Sequence, residues 1–227
     1  MEVREYLSVR RAYNLVRQGI SARERLAFEE LAILAKLDAT DTPLRTSDIA
    51  EYQGVLRPTM THRTNHLCDH GLIERERGEQ DRRNVCCSIS DRGREVLVDL
   101  ATRVVDNIPA GMSLNRISCE RALKYFEAMG SVFLTAADLV VLCVDMQEGP
   151  CGVSHLVREL GLLQPTASMS VSALVDRGLL ERRQAAPGSG HAVNLGLTEA
   201  GKARAAEVRE LIEGIVVRRR RRGSAAQ

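Results

Sequence analysis

The chain has 227 residues, 44% of them apolar and 27% charged, with a formal net charge of +2 and a pI near 8.3. That balance belongs to an ordinary globular protein; it excludes a disordered chain and a strongly basic nucleic-acid module, and no run of about 18 uncharged apolar residues offers a membrane span. The charged start lacks the basic-then-apolar order of a secretory leader, and the cysteines (Cys68, Cys86, Cys87, Cys119, Cys143, Cys151) form neither a C-x-x-C pair nor a dense cluster. The expectation is therefore a cytoplasmic protein, unprocessed at its N-terminus, with reduced thiols.

In chain order, Leu26, Ile33, Leu34 and Leu37 recur at helical intervals and predict an amphipathic helix over 22–37. Pro43 interrupts, and Thr46-Ser47-Asp48 offers N-cap chemistry for a short helix running to about Tyr52, which Gln53-Gly54 breaks. Pro58 suits a first helical turn, where the missing N–H is no loss, and its helix continues to Gly71, a left-handed terminator. Two short helices across a tight glycine turn make a helix-turn-helix. Residues 72–77 and 85–89 then flank the polar run 78–83 and read as a β-hairpin with a charged tip. Ser90-Asp91 opens a further helix whose apolar stripe is Val96, Leu97, Leu100 and Val104. It stops before Pro109.

The same plan then recurs, and a repeat constrains architecture more than any local pattern. Gly54-Val55-Leu56-Arg57-Pro58-Thr59 is echoed by Gly161-Leu162-Leu163-Gln164-Pro165-Thr166, and 67–75 by 174–182, both 107 residues on (161 − 54, 174 − 67). Ile89-Ser90-Asp91-Arg92-Gly93 matches Leu197-Thr198-Glu199-Ala200-Gly201 at 108 (197 − 89), so the second copy holds one extra residue, placed in a predicted surface turn. Helices are expected over 134–146, 154–160, 165–177 and from 198 to about 218, with hairpin arms at 179–183 and 192–197. The reading is a mainly α protein with small β-hairpin wings, in two tandem winged helix-turn-helix domains, 1–108 and 109–227.

The run from Pro58-Thr59-Met60-Thr61 to Leu67, then Gly71-Leu72-Ile73-Glu74-Arg75, Asp81-Arg82-Arg83 and Ile89-Ser90-Asp91-Arg92-Gly93, resembles the winged-helix core of the MarR family of transcription regulators. In that family an aspartate-x-arginine pair marks the wing and leucine-threonine-x-x-glycine opens the next helix. The first copy keeps the pair as Asp81 and Arg83; the second keeps Leu197-Thr198-x-x-Gly201 but has a neutral wing, Ala185-Ala186-Pro187-Gly188-Ser189-Gly190-His191. Family members dimerise through terminal helices, and this chain has two sets, 2–18 with 94–108 and 113–130 with 199–218. The resemblance thus implies an intramolecular pseudo-dimer about a pseudo-two-fold axis, a monomer rather than a homodimer. It also implies double-stranded DNA as partner, a repressor at a short pseudo-palindromic or asymmetric site, and a small aromatic ligand between the dimerisation and DNA-binding parts. Tyr13, Val16, Phe28, Tyr125, Phe126 and Phe133 would line such a cleft, though aromatic residues at helical spacing are more often core. The competing class is a protein-interaction scaffold that has lost DNA binding, which the modest charge and neutral second wing favour.

On the helix from Pro58 to His70, Met60, Thr64 and Leu67 share one face and map onto Ala167, Val171 and Leu174, so this face is the predicted core side. Thr59, Thr61, His62, Arg63, Asn65 and His66 remain as the reading face, with Arg57 at the helix start; Arg and Asn can bind guanine and adenine edges bidentately. Arg77 on the hairpin arm and Arg82 and Arg83 at its tip are the wing candidates for minor-groove or phosphate contacts, Asp81 orienting Arg83 as the resemblance implies. The second helix offers Gln164, Thr166, Ser168 and Ser172, without positive charge, and should bind DNA more weakly. The basic run 218–222 could add phosphate contacts as a tail. His62, His66 and His70 lie one turn apart but lack further ligands at a metal-site spacing, and Cys86 and Cys87 alternate across a strand. No phosphate loop, nucleophile elbow or metalloprotease helix is present in the sequence, so neither catalysis nor a cofactor is expected.

Overall fold

The structure is a computed structural model that describes residues 1–77, 85–109, 114, 116–184 and 193–217. It opens with helix α1 (Val3–Gln18) and α2 (Phe28–Asp38). The predicted helix over 22–37 therefore starts six residues late. The cause is local: Leu26 O accepts hydrogen bonds from Tyr13 Oη at 2.9 Å and Arg17 Nε at 2.8 Å, which holds the chain extended there. Glu30 then receives the Ala27 N–H at 2.7 Å, an N-terminal capping contact that sets the first turn at Phe28.

The first helix-turn-helix follows as β1 (Leu44–Arg45), α3 (Thr46–Tyr52) and α4 (Arg57–Asp69), then β2 (Ile73–Arg77), β3 (Val85–Ile89) and α5 (Asp91–Asp106). β1 is an unforeseen third strand, pairing Leu44 with Cys87 in the order β1-β3-β2. A two-residue strand is too short to leave a period-2 signal. Thr46 does not cap α3; it is the first helical residue, and its hydroxyl donates to Val85 O at 3.1 Å. Gly71 (φ +67°) ends α4 with Leu72 N–H bonded to Leu67 O at 2.9 Å, the paired-bond terminator that glycine permits. Ser90 joins the turn to α5, accepting from Gly93 N–H at 2.9 Å and donating to Gly71 O at 2.7 Å. A side chain at Gly93 would lie 2.0 Å from Leu72 O, which accounts for a glycine at that position.

After α6 (Cys119–Met129) the element order returns: α7 (Ala136–Asp145), α8 (Val153–Leu160), α9 (Gln164–Asp176), β4 (Leu180–Gln184), β5 (Val193–Leu197) and α10 (Glu199–Glu213). The joint is the same, with Thr198 Oγ1 donating to Gly178 O at 2.7 Å and receiving Gly201 N–H at 3.0 Å. Instead of a counterpart to β1, a single bond from Leu195 N–H to Cys151 O at 2.8 Å closes the sheet edge. α10 ends at Glu213, short of the expected 218. The wing-tip residues Asp81, Arg82 and Arg83, the extra residue of the second wing, and the basic run 218–222 lie outside the described residues.

One continuous apolar core holds both repeats. Its seam is an exchange of helices. α1 packs on α8 and α10 as well as α5, while α6 packs on α2 and α5. Three α1 side chains reach the carbonyls that end α8: Arg11 Nε to Arg158 O at 2.9 Å, Asn14 Nδ2 to Leu160 O at 2.8 Å and Gln18 Nε2 to Gly161 O at 2.7 Å. In the other direction Tyr52 Oη, at the end of α3, donates to Glu127 O, and Lys36 pairs with Glu127 at 3.0 Å. No described helix is long and apolar enough to cross a membrane.

Gly161 and Gly178 isolate the strength of this seam, since both have left-handed backbones (φ +61° and +68°). An added Cβ would lie 2.6 Å from Arg11 O at Gly161 and meet nothing within 4 Å at Gly178. Gly178→Ala should lower the unfolding free energy by about 1 kcal/mol, the backbone term alone, and Gly161→Ala by about 2–4 kcal/mol as α1 is pushed off α8. Equal losses in urea titrations would mean that the α1–α8 contact does not carry the predicted weight.

Candidate nucleic-acid interface

Met60, Thr64 and Leu67 are fully buried, so α4 sits on the face expected of it, as α9 does through Ala167, Val171 and Leu174. Thr64 satisfies its hydroxyl on Met60 O at 3.0 Å, which lets a polar residue occupy the core side. On the opposite side Arg57, Thr59, Thr61, His62 and Asn65 are exposed. Arg63 and His66, placed in the same group from sequence, are half-buried and turned toward the body of the protein.

Their partners explain this. Arg63 Nη1 donates to Gln53 Oε1 at 2.6 Å, and its guanidinium lies 5.5 Å from the ring centre of Phe133, on the segment leading into α7. Gln53 is itself buried and anchored to Glu29 O at 2.8 Å. His66 Nδ1 lies 2.7 Å from Glu30 Oε1, the buried carboxylate whose other oxygen caps α2, and its ring meets His70 edge-on at 4.6 Å. Both side chains brace α4 against α2 and the neighbouring repeat. Among the described residues no group of three or more potential ligands could hold a metal.

Two arginines that sequence reasoning passed over stand beside the reading face. Arg75 on β2 donates to Asn65 Oδ1, leaving the Asn65 amide nitrogen as donor, and Arg45 on β1 is exposed at the start of α3. Arg77 ends β2, with its side chain outside the described residues. The second face is built alike but with fewer charges. Gln164, Thr166 and Ser172 are exposed and Ser168 is half-buried, while Arg182 reaches Ser172 Oγ at 3.3 Å from the position equivalent to Arg75. Met169, 73% exposed, stands where the first repeat has His62, whereas the exposed Leu163 is matched by an exposed Leu56 at the start of α4.

The aromatic residues proposed for a ligand cleft form core instead. Tyr13, Val16, Phe28, Tyr125 and Phe126 are buried, with Tyr13–Phe28 and Phe28–Phe126 edge-to-face at 5.3 and 6.1 Å, and only Phe133 is half-exposed. An open cavity of about 330 Å³ lies elsewhere, between α1 and the α7–α8 pair, where Arg4, Leu7, Arg11, Cys143, Met146 and His155 face one another. Burial pushes the thiols of Cys87, Cys143 (to about 12) and Cys151 (to about 11) up, so they stay protonated and poorly nucleophilic at neutral pH.

Residues 28–85 match the model of the MarR family. No curated protein matches the chain. Among solved structures the chain resembles the transcriptional regulator BldR from Sulfolobus solfataricus, at 23% identity over 44% of this chain and 67% of that one, with a TM-score of 0.37. YusO from Bacillus subtilis is similar at 23% identity, 44% and 66% coverage, and a TM-score of 0.35. BpsR from Bordetella bronchiseptica, whose DNA binding is regulated by 6-hydroxynicotinic acid, is similar at 18% identity, 48% and 83% coverage, and a TM-score of 0.38. The chain thus spans about two thirds of the length of the first two.

Bracing and reading separate under mutation. Arg63→Ala removes a charge-assisted bond to a buried amide and should cost about 1–2 kcal/mol of stability, whereas His62→Ala, fully outward, should change it by less than about 0.5 kcal/mol. Denaturant titration decides this, and a neutral Arg63→Ala would return that side chain to the reading face.

Proposed function

We propose that this chain, whose residues 28–85 match the MarR family model, is a sequence-specific regulator of transcription that binds double-stranded DNA and acts as a repressor. The observation that carries this reading is the outward face of α4. Arg57, Thr59, Thr61, His62 and Asn65 are solvent-exposed on a helix whose opposite side is locked into the core, so the helix can enter a major groove without rearrangement. The Asn65 amide would donate at a base edge, the threonines would meet phosphates or thymine methyls, and Arg57 would supply charge at the helix start.

The two repeats, taken as domains 1–108 and 109–227, act on this reading as an internal pair. The exchanged helices α1 and α6 make each helix-turn-helix rest partly on the other half, an arrangement that suits a single chain facing two neighbouring grooves. Counterion release scales with cationic contacts, so the first half would supply most of the affinity and the second a weaker, asymmetric contact. A small-molecule response would act through the cavity between α1 and α8. Arg4, Arg11 and Glu159 line it with charges of both signs, and Arg11 already holds Arg158 O, so an occupant would tug on the second helix-turn-helix. Met169, exposed where the first repeat has His62, favours a second reading, a protein-interaction scaffold in which α9 docks an apolar partner.

Fluorescence anisotropy with duplexes from upstream of its own gene separates the two. The regulator binds one duplex specifically, with affinity falling steeply as salt rises, and Asn65→Ala lowers its preference over unrelated duplex by about 5–100-fold. Light scattering of the complex should give one 25.1 kDa chain per duplex. Salt-independent or absent binding would favour the scaffold.

A further inference from the structure

At the corner where β1, α3, α4 and β2 meet lies an open cavity of about 290 Å³. Three guanidinium groups line it, Arg45 from β1, Arg57 from α4 and Arg75 from β2, together with the hydroxyls of Thr46, Ser47 and Thr61. Among the described residues no carboxylate lines the cavity and none of the three arginines makes an ion pair. Arg75 gives one N–H to Asn65, while its Nε is buried without a partner. A buried donor left unpaired on a cation is costly, and three like charges around one hollow repel each other.

The second repeat shows that the fold does not require those charges. Its equivalent corner is a cavity of about 220 Å³ lined by Val153, Ser168 and Arg182, each 107 residues beyond Thr46, Thr61 and Arg75 (153 − 46, 168 − 61, 182 − 75). At the positions of Arg45 and Arg57 the second repeat has Gly152 and Gln164. The corner closes there with one cation instead of three, so Arg45 and Arg57 are additions to a scaffold that stands without them. The Thr46 and Ser47 hydroxyls already donate to Val85 O and Asp48 Oδ1. The planar N–H forks of the three arginines and the Thr61 hydroxyl are therefore the donors left to the hollow, and guanidinium forks suit a tetrahedral oxyanion.

We propose that this corner is a phosphate seat which, on the reading of the chain as DNA-binding, takes a single backbone phosphodiester flanking the bases read by α4. The seat fixes the register of α4 along the duplex, and its loss in the second repeat makes that half a looser contact. A free phosphate would satisfy the same groups, and the two sources are separable.

The test uses the full chain, Arg45→Gln and, as a second variant, Arg57→Gln, each first checked for an unchanged thermal midpoint. For the best-binding duplex, each variant should lower the slope of log affinity against log salt by about 1 and weaken binding evenly across sequences. A scan of single methylphosphonates along the duplex should find one position that weakens the unmodified chain and not Arg45→Gln, which assigns the seat to the backbone. Inorganic phosphate raising the thermal midpoint of the unmodified chain, but not of Arg45→Gln, at constant ionic strength assigns it to the free ion. Duplex binding with unchanged slopes, no coupled position and no phosphate effect overturns the seat and leaves the DNA reading standing. Absence of any duplex binding overturns the DNA reading, and the inorganic phosphate arm then decides the seat alone.

Discussion

Each helix-turn-helix in this protein rests on a helix supplied by the other half of the chain, and the remaining features depend on that exchange. α1 ends its reach on the carbonyls that close α8, and α6 meets the end of α3 through Tyr52 and Glu127. These contacts bury the seam in a core that no single repeat closes by itself. Hydrogen bonds to helix-terminal carbonyls satisfy groups that have no partner within their own helix, so the exchange also caps the elements it joins. Mounted this way, α4 has its direction set by the whole molecule.

That mounting divides the polar side of α4 into two functions. Arg63 and His66 point inward to Gln53, Phe133 and Glu30 and steady the helix, while Thr59, Thr61, His62 and Asn65 point outward. A charge-assisted bond to a buried acceptor is worth more than exposure to solvent, so an arginine within reach of Gln53 Oε1 is drawn there. The cationic character of the interface consequently rests on residues beside α4, namely Arg45, Arg57 and Arg75. The second repeat keeps the outline and Arg182 but has Gly152 and Gln164 in place of Arg45 and Arg57, so the two corners differ in charge despite the nearly neutral total.

Much of this was legible in the sequence because periodicity and turn chemistry act locally. Gly71 and Gly178 end their helices in the left-handed conformation, Ser90 and Thr198 cap the helices expected of them, and the 107-residue offset aligns equivalent side chains in space. The failures share a different origin. The start of α2 is set by Tyr13 and Arg17 binding Leu26 O from a separate helix, and β1 exists because Cys87 lies opposite Leu44. The inward turn of Arg63 is set by Gln53, which Glu29 O anchors from α2, and is covered by Phe133 from the other repeat. None of these long-range partners leaves a mark in a window of neighbouring residues. Arg45 did carry a signal, since its counterpart across the repeat is Gly152, and a column-by-column comparison of the two copies marks it as an added charge.

Hydrogen–deuterium exchange of the chain with and without its best duplex tests the presentation of this face most directly. The account predicts slowed exchange at residues 44–47, 57–66 and 73–77, with smaller protection over 163–173, since the charged corner and α4 meet the duplex together. Protection confined to 163–173, or absent from 57–66 while the duplex remains bound, would contradict it.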